Sequence, residues 1–146
     1  MAIKHHKPAE AHKKLKQTPD AKYIDVRTEA EFAQGHPEGA VNIPVVFIKG
    51  PGQMELNPDF LPVVEEIFSK ETTLIVGCLS GGRSARACEI LEEAGYADLT
   101  NVLGGFGGQR DQSGTVLVVG WRDEGLPVSS DPGERSYKSL RAKAGR

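Results

Sequence analysis

Apolar positions along this chain fall into short runs, and the runs alternate between two periods. Continuous or β-branched runs occur at residues 22–27 (Lys-Tyr-Ile-Asp-Val-Arg), 40–43, 72–77 and 100–103. Runs of this kind suit strands, and Thr-Thr-Leu-Ile-Val at 72–76 suits a central parallel strand covered on both faces. Between them the period becomes helical. Pro8 opens a polar segment over 9–17, with Ala11 and Leu15 four apart, that ends at Thr18-Pro19. Thr28 with Glu31 three residues on reads as a capping box for a short helix over 29–34, stopped at Gly35. Phe60, Leu61, Val63, Val64, Ile67 and Phe68 form an apolar stripe that predicts a helix starting near Phe60, with Asp59 as its cap. Ser84, Ala87, Cys88, Leu91 and Ala94 share one face of a further helix, with Glu89, Glu92 and Glu93 facing outward and Gly95 as its stop. Residues 45–58, rich in Gly and Pro, read as loop. Strands alternating with helices, without a hairpin signal, predict an α/β domain built on a parallel sheet.

With 146 residues, the chain is long enough for one buried core and too short for two full domains. Its formal charge of −2 conceals a division. Residues 1–22 carry a net +4, residues 23–128 a net −9 and residues 129–146 a net +3. An acidic body argues against nucleic-acid binding by the folded part. The longest apolar runs fall far short of a membrane span, and the basic N-terminus lacks the apolar stretch of a secretory signal. Two cysteines, Cys78 and Cys88, make neither a disulfide framework nor a four-ligand zinc site, and no cofactor is expected. The adjacent His5 and His6 read as solvated residues of an irregular N-terminus. These features predict a reduced, cytoplasmic domain over 1–128, followed by a basic, mobile tail over 129–146.

The chemistry concentrates where strand 72–77 meets the next helix, in Cys78-Leu79-Ser80-Gly81-Gly82-Arg83-Ser84. Ligands of open parallel sheets sit beyond the carboxyl ends of the strands. A cysteine there meets unpaired backbone amides and the positive end of a helix dipole, both of which favour thiolate over thiol. Gly81 and Gly82 let the loop curl so that several N–H groups can converge. Arg83 adds a cation able to hold an oxyanion. Cys78 is therefore the candidate nucleophile, with Leu79, Ser80, Gly81, Gly82 and Arg83 as its anion cradle. Cys88, mid-helix on the apolar face, reads as core packing.

These residues resemble the rhodanese (sulfurtransferase) family in its single-domain form. The resemblance covers roughly residues 3–128. It rests on Asp25-Val26-Arg27 with Glu31-Phe32; on Gly35-His36, Gly39-Ala40 and Asn42-Ile43-Pro44; on Cys78 to Ser84; and on Gly104-Gly105 with Gly125-Leu126-Pro127-Val128. It implies a five-stranded parallel sheet with helices on both faces. It also implies that Cys78 carries sulfur taken from an anionic donor such as thiosulfate and passes it to a thiol, to cyanide or to an acceptor protein. A non-enzymatic persulfide carrier is the alternative from another class. A Cys-based phosphatase or arsenate reductase is the less favoured rival. The loops of those enzymes resemble Cys, five residues, then Arg, whereas four residues separate Cys78 from Arg83 here.

Asp25, Arg27 and Glu31 are expected to form one structural ion network, His36 to hold a loop by hydrogen bonding, and Arg86 to lie on a solvated helix face. Gly104-Gly105-Phe106-Gly107-Gly108 is not a dinucleotide fingerprint, because no helical pattern follows it. Trp121 comes seventeen residues after Gly104, later than in the family pattern, which marks residues 107–120 as an insertion. Within it, Thr115-Val116-Leu117-Val118-Val119 predicts a short strand or core cover, with an exposed apolar patch beside the active face as the alternative. The proline of Gly35-His36-Pro37-Glu38-Gly39 stands one place earlier than in the family.

Overall fold

A computed structural model describes residues 3–146. The chain runs β1 (Lys4–His6), α1 (Pro8–Gln17), β2 (Lys22–Asp25), α2 (Glu29–Gln34), β3 (His36–Pro37) and β4 (Val41–Asn42). It continues through β5 (Val46–Gly50), β6 (Gln53–Leu56), α3 (Phe60–Ile67), β7 (Leu74–Gly77), α4 (Gly82–Glu93) and β8 (Leu99–Val102). The last elements are β9 (Gln109–Arg110), β10 (Val116–Val118), β11 (Val128–Ser129) and α5 (Tyr137–Lys143).

Five strands form a parallel sheet in the order β1-β8-β7-β2-β4. Alternation along the strands divides the core in two. On one face Ile24, Val26, Leu74 and Val76 pack with Val63 and Val64 of α3, Ala87, Cys88 and Leu91 of α4, and Tyr137 and Leu140 of α5. On the other, Tyr23, Ile75 and Val102 pack with Ala11 of α1, Phe32 of α2, Phe106 and Trp121. β7 is buried at every position, as its unbroken apolar run requires. The expected α/β architecture with helices on both faces is therefore present.

Several local expectations are corrected. Lys4–His6 is not irregular: it pairs in parallel register with Thr100, Asn101 and Val102 and forms one edge of the sheet. An edge strand pairs on one side only and needs little apolar content, so its sequence gave no signal. Residues 45–58 are not mostly loop, since β5 and β6 form an antiparallel hairpin. Asp59 precedes α3 without capping it through its side chain; its carboxylate instead accepts from Arg146 at 2.8 Å.

The largest difference concerns residues 129–146, read as a mobile tail. β11 pairs antiparallel with β3, and α5 buries Tyr137 and Leu140 in the core beside α3. Asn57 donates to the Tyr137 hydroxyl and to the Pro44 carbonyl, both at 2.9 Å. The basic residues of α5 hid a small apolar face, two residues three apart, that suffices to dock one short helix.

Candidate active site

The site is built from the sheet outward. β7 ends at Gly77, and Cys78 follows at its carboxyl end. The chain then crosses to α4 through a turn whose pivot, Gly81, has φ +119°, a value costly for any residue with a Cβ. The turn brings the Gly81 N–H to the Cys78 sulfur at 3.1 Å. Cys78 is 2% exposed, whereas Leu79, Ser80 and Gly82 lie open to solvent around it.

A second turn, after β8, fixes this loop from behind. Phe106 N–H donates to the Cys78 carbonyl at 2.7 Å and Gly107 N–H to the Leu79 carbonyl at 2.8 Å. Gly105 has to be glycine: a Cβ there would stand 2.3 Å from the Cys78 carbonyl oxygen. The Gly-Gly pair after the last sheet strand is thus a platform for the cysteine loop, a role its sequence did not reveal.

Arg83 is half-buried, and its guanidinium is not free. It donates to both carboxylate oxygens of Glu31, at 2.8 and 3.0 Å. The same carboxylate completes the predicted capping box, accepting from Thr28 N–H at 3.1 Å while the Thr28 hydroxyl accepts from Glu31 N–H at 3.3 Å. Partial burial opposes the charge on Glu31, but the hydrogen bonds from Arg83 and Thr28 prevail and bring its pKa down to about 2. The cradle's cation is therefore offset by a neighbouring anion.

The expected three-member network divides in two. Asp25 and Arg27 form a separate, almost fully buried pair, with Arg27 Nη2 at 2.8 Å from the Asp25 carboxylate and 2.7 Å from the Gly35 carbonyl. Glu31 belongs to Arg83 instead. The Arg27 guanidinium lies 4.5 Å from the Phe106 ring centroid and that of the exposed Arg122 lies 5.6 Å from it.

His36 is buried, stacked on Phe32 at 3.7 Å, with Nδ1 2.7 Å from the Phe32 carbonyl. Burial lowers its pKa, so the neutral ring donates to that carbonyl and holds the turn after α2, as expected. Arg86 is exposed on α4, 3.8 Å from Glu89. Cys88 is buried, and desolvation pushes its thiol up to about 12. Residues 116–118 do form a short strand, but Val116, Leu117 and Val119 remain exposed, and the Val118 side chain lies against Gly104 of the platform turn.

Two clefts flank the loop. One of about 350 Å³ lies between Leu79, Phe106, Gln34 and Arg122, and another of about 390 Å³ lies between Ser80, Gly82, Arg86 and Met54 of the hairpin. A third, under Trp121 and lined by His12, Lys16 and Lys22, opens at the start of β2, away from the cysteine.

Sequence reasoning missed Ser84 and Asn101. Ser84 Oγ lies 3.4 Å from the Cys78 sulfur and donates to Asn101 Oδ1 at 2.5 Å. Ser84 was placed on the apolar face of α4, which is correct, but nothing in its spacing announced a polar partner on β8.

Comparison with known proteins agrees with this geometry. The family profile of the rhodanese-like domain matches residues 7–110. This chain belongs to the rhodanese family. Among relatives, it is 38% identical over 109 residues to thiosulfate sulfurtransferase 16, chloroplastic, of Arabidopsis thaliana, a match spanning 75% of this chain and 80% of that protein. It is 46% identical over 85 residues to the Arabidopsis protein HIGH ARSENIC CONTENT 1, mitochondrial, spanning 58% of this chain and half of that one. Among solved structures, Rv0390 from M. tuberculosis superposes with a TM-score of 0.75 at 31% identity, over 90% of this chain and all of the other. No helix among the described residues is long and apolar enough to cross a membrane. The two plant relatives carry organellar names, which lend the cytoplasmic expectation no support.

Proposed function

We propose that this protein is a sulfurtransferase that carries sulfane sulfur on Cys78. The observation that supports it most directly is the buried Cys78 sulfur, at the carboxyl end of β7, accepting the Gly81 N–H at 3.1 Å in the turn that opens α4. Relatives named as thiosulfate sulfurtransferases support sulfur transfer in general. Amides in the first turn of α4 have no partner within the helix and suit a sulfur-centred anion.

In the first half-reaction the Cys78 thiolate attacks the outer sulfur of thiosulfate. A new S–S bond forms at Cys78, the S–S bond within thiosulfate breaks, and sulfite leaves with the electron pair. The enzyme is left as a persulfide anion stabilised by the loop amides. In the second, a thiolate or cyanide attacks the outer sulfur, the Cys78 S–S bond breaks, and the cysteine thiolate returns. No proton or external oxidant is consumed. Leu79, Ser80, Gly81 and Gly82 shape the cradle. Arg83, bound to Glu31, holds the donor's sulfonate less firmly than a free arginine would. Arg122 at the mouth of the 350 Å³ cleft is a second cation for an anionic donor.

Steady-state kinetics with thiosulfate and cyanide test the reading: parallel double-reciprocal plots and sulfite release are expected. Persulfide formation without turnover to cyanide or a small thiol would favour the alternative of a non-enzymatic carrier or binding module. Hydrolysis of an aryl phosphate would favour the phosphatase, which the four-residue spacing from Cys78 to Arg83 disfavours.

A further inference from the structure

Behind Cys78 a line of polar groups crosses the sheet from the loop to its edge. The Cys78 sulfur lies 3.4 Å from Ser84 Oγ on α4. Ser84 Oγ lies 2.5 Å from Asn101 Oδ1 on β8, and Asn101 Nδ2 lies 3.2 Å from His5 Nδ1 on β1. Ser84 is fully buried, Asn101 is 2% exposed, and His5 is open to solvent. The loop mechanism uses none of the last three. Ser84 against the reacting sulfur and Asn101 behind it are enclosed polar side chains, costly unless each is satisfied.

The single proton of Ser84 decides what the sulfur meets. It has three neighbours: Asn101 Oδ1 at 2.5 Å, the Gly81 carbonyl at 3.2 Å and the sulfur at 3.4 Å. Given to Asn101, it leaves an oxygen lone pair facing Cys78, which suits a neutral S–H donating to Ser84. A charged sulfur requires the reverse, with the hydroxyl donating to sulfur. The proton must then leave Asn101. Exchange of the two ends of the carboxamide allows this, because Nδ2 then donates to Ser84 Oγ while Oδ1 accepts from a His5 ring that carries its proton on Nδ1. A neutral imidazole satisfies either arrangement by changing tautomer.

We propose that Asn101 is a positioning residue for Cys78: held between His5 and Ser84, its carboxamide sets whether the Ser84 proton points away from the sulfur or toward it. Ser84 thereby adds to the charged sulfur a side-chain hydrogen bond beyond those of the loop amides. The inference rests on Cys78 being the nucleophile. Among the described residues, the other titratable groups near Cys78 are Arg83 and Cys88 of α4, with Tyr23 of β2 in the core on the opposite face of the sheet. At the β1 edge Lys4 precedes His5 in the chain and pairs with Asp98, as does Lys14 of α1.

Alkylation by iodoacetamide, followed at Cys78 by peptide mass spectrometry, reads the charged sulfur without any sulfur donor. A failed sulfur-transfer assay therefore bears on the proposed function and leaves this result readable. Ser84→Ala removes the hydroxyl, and Asn101→Asp offers Ser84 an acceptor only. Each is expected to move the pH dependence of alkylation to higher pH, with a rate about tenfold lower on its acid limb, the worth of one hydrogen bond to a charged group. The rate on the alkaline plateau should stay unchanged, which a merely structural defect would not preserve. In the unsubstituted protein, the ¹⁵N signal of His5 Nδ1 is expected to move from acceptor type to donor type as Cys78 loses its proton, and Cys78→Ala should abolish that change. A wild-type pH dependence of alkylation in either folded variant overturns the proposal. If neither variant folds, a His5 signal that is the same with and without Cys78 overturns it.

Discussion

Cys78 and Cys88 stand ten residues apart, both buried, at the junction of one strand–helix unit and in the middle of its helix. Their surroundings are opposite. Cys78 lies where a strand has ended and a helix is beginning, so backbone N–H groups are unspent and one reaches its sulfur at 3.1 Å. Cys88 lies on the inner face of α4, where every nearby amide is committed to the helix ladder and desolvation pushes its thiol up to about 12. Burial alone therefore makes a cysteine inert. Burial beside uncommitted donors can make it a nucleophile.

The sharpest way to break this comparison is to remove each thiol in turn. Cys78→Ser is expected to abolish sulfite release from thiosulfate, by about a thousandfold or more, while Cys88→Ala leaves the specific rate within about twofold. A large loss from Cys88→Ala in a folded protein would mean that the second thiol takes part. Arg83→Ala should lower kcat/KM for thiosulfate about tenfold, the loss of one charge-assisted contact, while its effect with a neutral donor stays small.

The core that encloses Cys88 can be loosened from the side of α5. Leu140 of α5 belongs to the same core cluster as Cys88. Leu140→Ala should cost about 2–4 kcal/mol in denaturant unfolding and make Cys88 alkylate faster. Unaltered stability would show that α5 is not docked in solution.

The smallest effect concerns the charge beside the loop. The Glu31 carboxyl is held at about 2 in the folded protein, below its ordinary 4.5. Its contribution is fully present above pH 4.5 and is lost as pH falls from there toward 2. Glu31 is a quarter exposed, so the contribution is about 1–2 kcal/mol after screening. Glu31→Gln should flatten that acid limb in thermal unfolding. By releasing Arg83 it should also lower KM for thiosulfate about two- to threefold.

How far the sequence carried the fold depended on how much each element buries. β7 announced itself because both of its faces are covered, and α2 because its capping box is local. β1 and α5 stayed hidden because an edge strand and a helix with two buried residues need little apolar patterning. The cysteine loop was legible as a contiguous stretch. Its partners were not: Glu31 lies 52 residues from Arg83 and Asn101 lies 17 from Ser84, so only the folded sheet brings them together. Glu31 was visible as a capping residue, but its bond to Arg83 depends on α2 and α4 meeting at the same end of the sheet.

The most direct test is to incubate the reduced protein with thiosulfate and measure intact mass, the site of the adduct and sulfite together. The account predicts one added sulfur atom per chain, located on Cys78 and removed by cyanide as thiocyanate, with an equal amount of sulfite released. An unchanged mass with no sulfite, or a sulfur adduct on Cys88, would contradict it.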